Sequence, residues 1–257
     1  MGGKHRQSKI AVQVMSRYID ECNGYVEPFC GAMGMAEHMV LDAVGKGISV
    51  ELSDNSEPLV SFWNALIAGT WEPPAAPIDE ETWKHYKKKS KDPANYDDPM
   101  LAWCGHAFSF GGKWFAAFAR SRTHSPEDMH RTQVRSTLRK AGVLRQAVDK
   151  VYLRSYADTV VYPGDLLFLD PPYASALTTF KNSKGFNTKA FWDWAALKSF
   201  SGPVFVTEFQ APPGWTEVYS WGDTMVRHHR TKGTDGTREC LYIKEDGYAA
   251  RYIPRVS

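Results

Sequence analysis

Cysteine is scarce in this sequence and unpatterned. Cys22, Cys30, Cys104 and Cys240 are widely spaced and form no C-x-x-C pair. That spacing excludes a disulfide framework and the common zinc motifs. Cys104 and His106 stand close, but no second ligand pair accompanies them, so no metal is expected. No apolar run approaches a membrane span. The opening MGGKHRQSKI has no apolar stretch after its charges, so a secretory signal is not expected either. Charge of one sign is lacking: 31 Lys+Arg against 29 Asp+Glu leave +2. A balance that even names no partner; only its distribution along the chain can. Repeats and low-complexity tracts are missing as well. So is the G-x-G-x-x-G turn of an NAD-binding oxidoreductase, since Gly31-x-x-Gly34 has no glycine at the right place before it.

What is present is a hydrophobic share of 43% in 257 residues, enough for one α/β domain with an insertion. Residues 5–19 read as a helix, with Ile10, Val14 and Tyr18 on one face. GYVEPF (24–29) reads as a strand that Pro28 ends, because proline cannot donate to a ladder. CGAMGMAEHMVLDAVGKG is a glycine turn feeding a helix, and GISVELSD is a second strand finishing on acids. A helix around LVSFWNALIAG follows. This β–turn–α–β–α order opens a doubly wound sheet.

The pattern breaks at the proline-rich WEPPAAP and returns near residue 150. We therefore expect a catalytic domain made of residues 1–70 and 150–257, interrupted by an inserted, mostly helical region at 71–149. An insertion of that length is far beyond an ordinary loop and is a place for recognition. Within it, Ser125-Pro126-Glu127-Asp128 starts a helix. Val134, Leu138 and Leu144 are its expected inward residues, and Gly142 a candidate interruption. After 150 come a short strand or helix end at 151–156 and the apolar run DLLFLD (165–170). A helix near 189–199, the strand PVFVTEF, and the closing pair TEVYSW and ECLYIK complete the chain.

The strongest chemical signal is Asp170-Pro171-Pro172-Tyr173, directly after the buried-looking strand. Four specified residues would fall somewhere in such a chain by chance roughly one time in a thousand at average usage. Their place at a strand's carboxyl end adds weight, because open α/β sheets bind ligands there. The plain alternative is a polar turn closing a strand.

D-P-P-Y after an apolar strand resembles the signature of the amino-methyltransferases, and VEPFCGAMG resembles their cofactor turn. The order of the two motifs, with an insertion between, resembles the α group. Within it the chain is similar to the Dam-type (D12 class) DNA adenine-N6 methyltransferases, whose N-terminal G-G-K matches Gly2-Gly3-Lys4. The likeness covers roughly residues 2–70 and 150–245, not the insertion. The second turn glycine of the family falls at Met33, and its Asp-Phe before the D-P-P-Y strand stands here as Ser155-Tyr156.

The resemblance implies a Rossmann-like sheet and a site-specific transfer of methyl from S-adenosylmethionine to adenine N6, leaving S-adenosylhomocysteine. It implies Asp170, Pro171, Pro172 and Tyr173 as catalytic residues. Lys4, Glu27, Pro28, Phe29, Gly31, Gly34, Asp54 and Tyr156, with Asp170, would form the cofactor site. An adenine amino group is a poor nucleophile because its lone pair is delocalised into the ring. A carboxylate (Asp170) and a carbonyl (Pro171) can accept its two N–H bonds and let the nitrogen become tetrahedral. Orientation and electrostatic complementarity then suffice, without a base tuned near neutrality. Tyr173 offers a face on which an extruded base can stack.

Double-stranded DNA is the implied partner, with no membrane, a monomer as the expected form, and a cytoplasmic, bacterial or phage-encoded setting. Its expected footprint is Lys113, Arg120, Arg122, Arg131, Arg135 and Arg139 in the insertion. Phe186 and Asn187 after D-P-P-Y, and Arg230 and Lys232 in the closing loop, complete it. Lys140 and Arg145 are counted with the insertion's basic cluster, and Lys87, Lys88, Lys89 and Lys91 form another. Phe180 and Arg227 belong to the same two regions. For any single arginine a solvated helix face is the simpler reading. The alternatives left open are cytosine N4 or RNA as acceptor, and a DNA-binding relative without catalysis.

Overall fold

Strands that must be buried on both faces alternate here with helices that bury one, and that pairing builds the molecule. The structure is a computed structural model and describes residues 5–172, 186–221 and 238–244. In chain order the main elements are α1 (His5–Ile19), β1 (Gly24–Glu27), α2 (Ala36–Gly45), β2 (Ser49–Asp54) and α3 (Glu57–Ala68). Then come α4 (Glu80–Lys89), the one-turn α5 (Pro99–Ala102), α6 (Pro126–Leu144), β3 (Tyr152–Leu153), β4 (Asp165–Leu169) and α7 (Thr188–Lys198). The chain closes with β5 (Val204–Glu208), β6 (Trp215–Trp221) and β7 (Glu239–Lys244).

The seven strands form one mixed, mostly parallel sheet of the Rossmann-like kind, ordered β3-β2-β1-β4-β5-β7-β6. β3, β2, β1, β4 and β5 run parallel. β7 runs antiparallel to both β5 and β6. The chain winds outward from β1 to β3 on one side and from β4 to β5 on the other. Between β1 and β4 the winding reverses, which is where an open sheet leaves a crevice at its carboxyl edge.

Side chains of the central strands split between two cores with period two. Tyr25, Leu166, Phe168 and Phe205 pack on one face with Met15, Met39 and Trp63. Val26, Leu167, Leu169, Val204 and Val206 pack on the other with Phe191, Trp192 and Ala195 of α7. Every residue of β4 is buried, as its unbroken apolar run requires. Each such aliphatic or aromatic side chain contributes about 1.5–3 kcal/mol.

Several expectations shift in detail. The deepest stripe of α1 is Ser8, Ala11, Met15 and Ile19, with Ile10, Val14 and Tyr18 half-buried beside it. The strand expected through Phe29 stops at Glu27. α4 was not legible as a helix: it is capped by Asp79, carries three terminal lysines and buries only Trp83. α6 runs through Gly142 without a break. Its phase also corrects the sequence reading, because Leu138 is exposed while Lys140 is 4% exposed.

Among the described residues no helix is long and apolar enough to cross a membrane.

Candidate active site

The turn after β1 is held from three sides. Cys30 N donates to Ser53 O at 3.1 Å, tying it to β2. Gly31 N donates to Asp54 Oδ2 at 2.9 Å, and Trp63 Nε1 of α3 donates to Gly31 O at 2.9 Å. Lys140 Nζ, from α6, donates to Ala32 O at 2.6 Å. Gly31 has φ +44° and Met33 φ +56°, so the turn enters the left-handed region twice. Glycine does this freely; Met33 must be held there by its surroundings. Beside Gly31 the space is open: an added Cβ would meet nothing nearer than Phe29 O at 3.9 Å.

Three carboxyl groups gather at this edge. Glu27, at the end of β1, is 2% exposed and accepts from Tyr25 Oη at 2.6 Å. Burial pushes its pKa up to about 8; the Tyr25 bond opposes the shift, the negative Asp170 and Asp54 add to it, and Lys140 opposes it. Asp54, at the end of β2, takes Gly31 N on one oxygen and Ser56 N at 2.8 Å on the other. Burial raises its pKa, and the backbone donors of Ser56, Gly31 and Asn55 counter that. Asp170 follows the last residue of β4, one strand away, and Oδ1 accepts from Thr207 Oγ1 at 2.6 Å. Pro171 is buried beside it and Pro172 half-buried. So Glu27, Pro28, Phe29, Gly31, Gly34, Asp54, Asp170, Pro171 and Pro172 all lie at the carboxyl ends of β1, β2 and β4. Lys4 and Tyr173 lie outside the described residues.

Tyr156 is half-buried in an aromatic cluster. Its ring stacks on Phe29 at 5.4 Å and meets the edges of Phe191 and Trp194. Phe186 closes the same cluster, 5.7 Å from Tyr156 and 6.3 Å from Phe29. Asn187 caps α7 by accepting from Ala190 N at 3.0 Å. Both residues thus have structural work besides any contact with a nucleic acid.

The basic residues of the segment 71–149 separate into two groups. Arg122 and Arg135 are exposed. Arg131 is exposed and reaches Asp128 only at 3.9 Å. Arg120 pairs with Glu80, and Arg139 with the buried Glu37 at 3.2 Å. Lys113 is half-buried. Lys140 turns inward, and Arg145 donates to the carbonyls of Leu66 and Ile67 at the end of α3. Those two leave the expected footprint, because their charges serve carbonyls inside the protein. Lys87 lies over the Trp83 ring and Lys89 pairs with Asp98. Beside this face, Ile78, Phe108, Phe118 and Met129 line a cavity of about 300 Å³ with Arg120 and His124 at its walls. Arg230, Lys232, Phe180 and Arg227 lie outside the described residues.

Sequence reasoning missed Thr207 and Trp63, and it counted Lys140 with the basic cluster rather than as a donor to the β1 turn. A threonine inside the apolar run PVFVTEF was the available signal for the first. Nothing in helical periodicity pointed to Trp63 or to this use of Lys140. Among the described residues no group of three or more His, Cys, Asp or Glu could hold a metal.

No family model matches the chain, and no curated protein matches it. Among solved structures it is similar to the Escherichia coli protein yhhF, described as a methyltransferase, with 12% identity and a TM-score of 0.33. That match covers 93% of this chain and 86% of the other. It is also similar to the rRNA methyltransferase aviRa of Streptomyces viridochromogenes, with 10% identity, a TM-score of 0.39, and 92% and 84% coverage. Likeness at this level says nothing about what this chain acts on.

Proposed function

We propose that the chain is an S-adenosylmethionine-dependent DNA methyltransferase acting on adenine N6. The observation that carries this reading is the placement of Asp170-Pro171-Pro172 at the carboxyl end of β4, beside the turn after β1 and across the switch from Asp54. The residues fit the cofactor. Asp54 takes Gly31 N on one oxygen and Ser56 N on the other, with the Asn55 N–H a third donor, and of a carboxylate's four lone-pair sites this leaves one for a ribose hydroxyl. Gly31 leaves the turn open on one side, where a ligand can approach the backbone. Phe29 and Tyr156 supply aromatic surface at the same edge.

When bound, S-adenosylmethionine supplies a methyl on a sulfonium, an electrophile that needs no further activation. The chain's own part is orientation. Thr207 fixes the Asp170 carboxylate. Asp170 and the Pro171 carbonyl would accept hydrogen bonds from the two N–H groups of the target amine and steer its lone pair. As the N–C bond forms and S-adenosylhomocysteine leaves, the one proton lost would pass by way of the Asp170 carboxylate to solvent. Glu27 holds its proton near neutrality and serves as a packed hydrogen-bonding group. Arg131 and Arg135, exposed on α6, would neutralise phosphates of a DNA duplex.

The test is transfer of labelled methyl to mixed-sequence duplex DNA, followed by digestion and identification of the nucleoside by mass. Label in N6-methyladenine, abolished in Asp170→Ala with DNA binding retained, is the expected result. Label in N4-methylcytosine, or in RNA alone, would replace the acceptor. Wild-type rates in Asp170→Ala would overturn the assignment of the site. No label and no binding of S-adenosylmethionine in a titration would leave a DNA-binding protein.

A further inference from the structure

α6 has two faces with different chemistry. Arg131, Arg135 and Leu138 stand outward. His130, Thr137, Lys140, Ala141 and Leu144 are buried inward, and His130 Nε2 lies 2.8 Å from Pro74 O. Lys140 is the unusual member of that inner face. Burying an ammonium costs several kcal/mol unless it is paired, and an apolar side chain would fill the same space more cheaply. Its nitrogen is spent on Ala32 O, at 2.6 Å. That carbonyl belongs to the peptide linking Ala32 to Met33, the residue with φ +56°. Holding the carbonyl therefore holds the strained step of the turn. The preceding residue, Arg139, pairs at 3.2 Å with Glu37, in the first turn of α2 just beyond the same turn. Two successive residues of one inserted helix thus grip the β1 turn on its two flanks.

We infer that Lys140 is a positioning residue for the β1 turn, and that α6 couples occupation of its outer basic face to the geometry of that turn. The coupling rests on the reading of the turn as the cofactor site and of α6 as part of the nucleic-acid face. Sheet contacts from Ser53 and Asp54 fix one side of the turn. The insertion fixes the other, so a duplex that orders α6 also orders the Ala32–Met33 peptide. Because linkage is reciprocal, cofactor and duplex then bind each other's complex more tightly than the free protein.

Hydrogen exchange on the full chain tests this without the cofactor. In Lys140→Met, the segment 28–36 should exchange about tenfold to a hundredfold faster than in wild type, the loss of one charged hydrogen bond. Lys140→Arg, which can still donate to Ala32 O, should recover most of the protection. A short mixed-sequence DNA duplex should slow exchange at both 131–139 and 28–36 in wild type, but only at 131–139 in Lys140→Met. Should that variant fail to fold, Arg139→Gln, at a half-exposed position, must weaken the duplex-induced protection of 28–36. Unchanged exchange at 28–36 in Lys140→Met, an even rise over all elements, or a duplex that protects neither segment in wild type each overturns the inference. A parallel titration with S-adenosylmethionine separates the two claims: no binding by wild type refutes the cofactor reading, while the exchange data still decide Lys140.

Discussion

Replacing Glu27 with glutamine removes a carboxyl that the fold keeps protonated. Glu27 is 2% exposed, and burial lifts its pKa from 4.5 to about 8. Between those values the folded chain holds a proton that the unfolded chain has released. Wild type therefore loses stability as pH rises through that window, at about 1.4 kcal/mol per unit from this group. From pH 4.5 to pH 7 the loss amounts to about 3 kcal/mol. Glutamine is neutral at every pH, and its oxygen can still accept from Tyr25 Oη. At pH 5 the variant and the wild type should thus differ little. By pH 7 Glu27→Gln should be the more stable by about 3 kcal/mol, or roughly 6–12 °C in Tm for a chain of this size. Denaturant titrations followed by tryptophan fluorescence from pH 5 to 8 read this directly. Asp54 and the other acids contribute to both profiles, so the difference between them isolates Glu27. Parallel profiles across the whole range would refute the assignment of a retained proton to this residue.

Thr207→Val removes the hydroxyl that fixes Asp170. In the methyl-transfer assay kcat should fall about tenfold to a hundredfold through misplacement of the carboxylate, with KM for S-adenosylmethionine little changed. Gly105→Ala would put a Cβ within 2.6 Å of the Trp114 ring and 2.8 Å of Phe115. Overpacking of that kind should destabilise the protein by about 1–3 kcal/mol in thermal unfolding. Arg135→Ala should weaken duplex binding and lower the slope of log K against log salt by about one unit. An unchanged slope would remove α6 from the DNA face.

The sheet was legible because its central strands obey simple rules. DLLFLD reads as a strand buried on both faces, and Leu166 and Phe168 do pack opposite Leu167 and Leu169. The edge of the sheet was legible for the same reason: a motif that follows a buried strand must lie at its carboxyl end. α6 was half legible. Ser125 caps it as expected, accepting from Asp128 N at 3.1 Å. Val134 and Leu144 pack inward as expected, and only Leu138 was misassigned, because hydrophobic periodicity assumes an apolar partner. Here the partner includes a carbonyl of the β1 turn, so a lysine goes in and Leu138 stays out, 42% exposed. α4 escaped notice for a related reason, since its lysines hide a single anchoring tryptophan. Thr207 could not be paired with Asp170 from sequence, because the two meet only through neighbouring strands.

The three acids at the sheet edge are stabilised in three different ways, and this divides their roles. Glu27 is settled by keeping a proton and a bond to Tyr25. Asp54 is settled by backbone N–H groups of its own turn and of the β1 turn. Asp170 takes the Thr207 hydroxyl, from the next strand, on Oδ1, a side-chain partner that directs the carboxylate from outside its own loop. A group committed to backbone donors suits static binding of hydroxyls. A group steered by a neighbouring side chain suits a target that must be engaged and released. Crowding three carboxyls at one edge would be costly if all carried charge. Burial lets Glu27 stay neutral, and that lowers the repulsion on the other two. On this view Glu27 acts on the site through charge alone. Glu27→Gln should then leave the rate of methyl transfer at pH 6 close to wild type. As pH rises through about 8, where the wild-type residue ionises beside Asp54 and Asp170, the two rates should diverge.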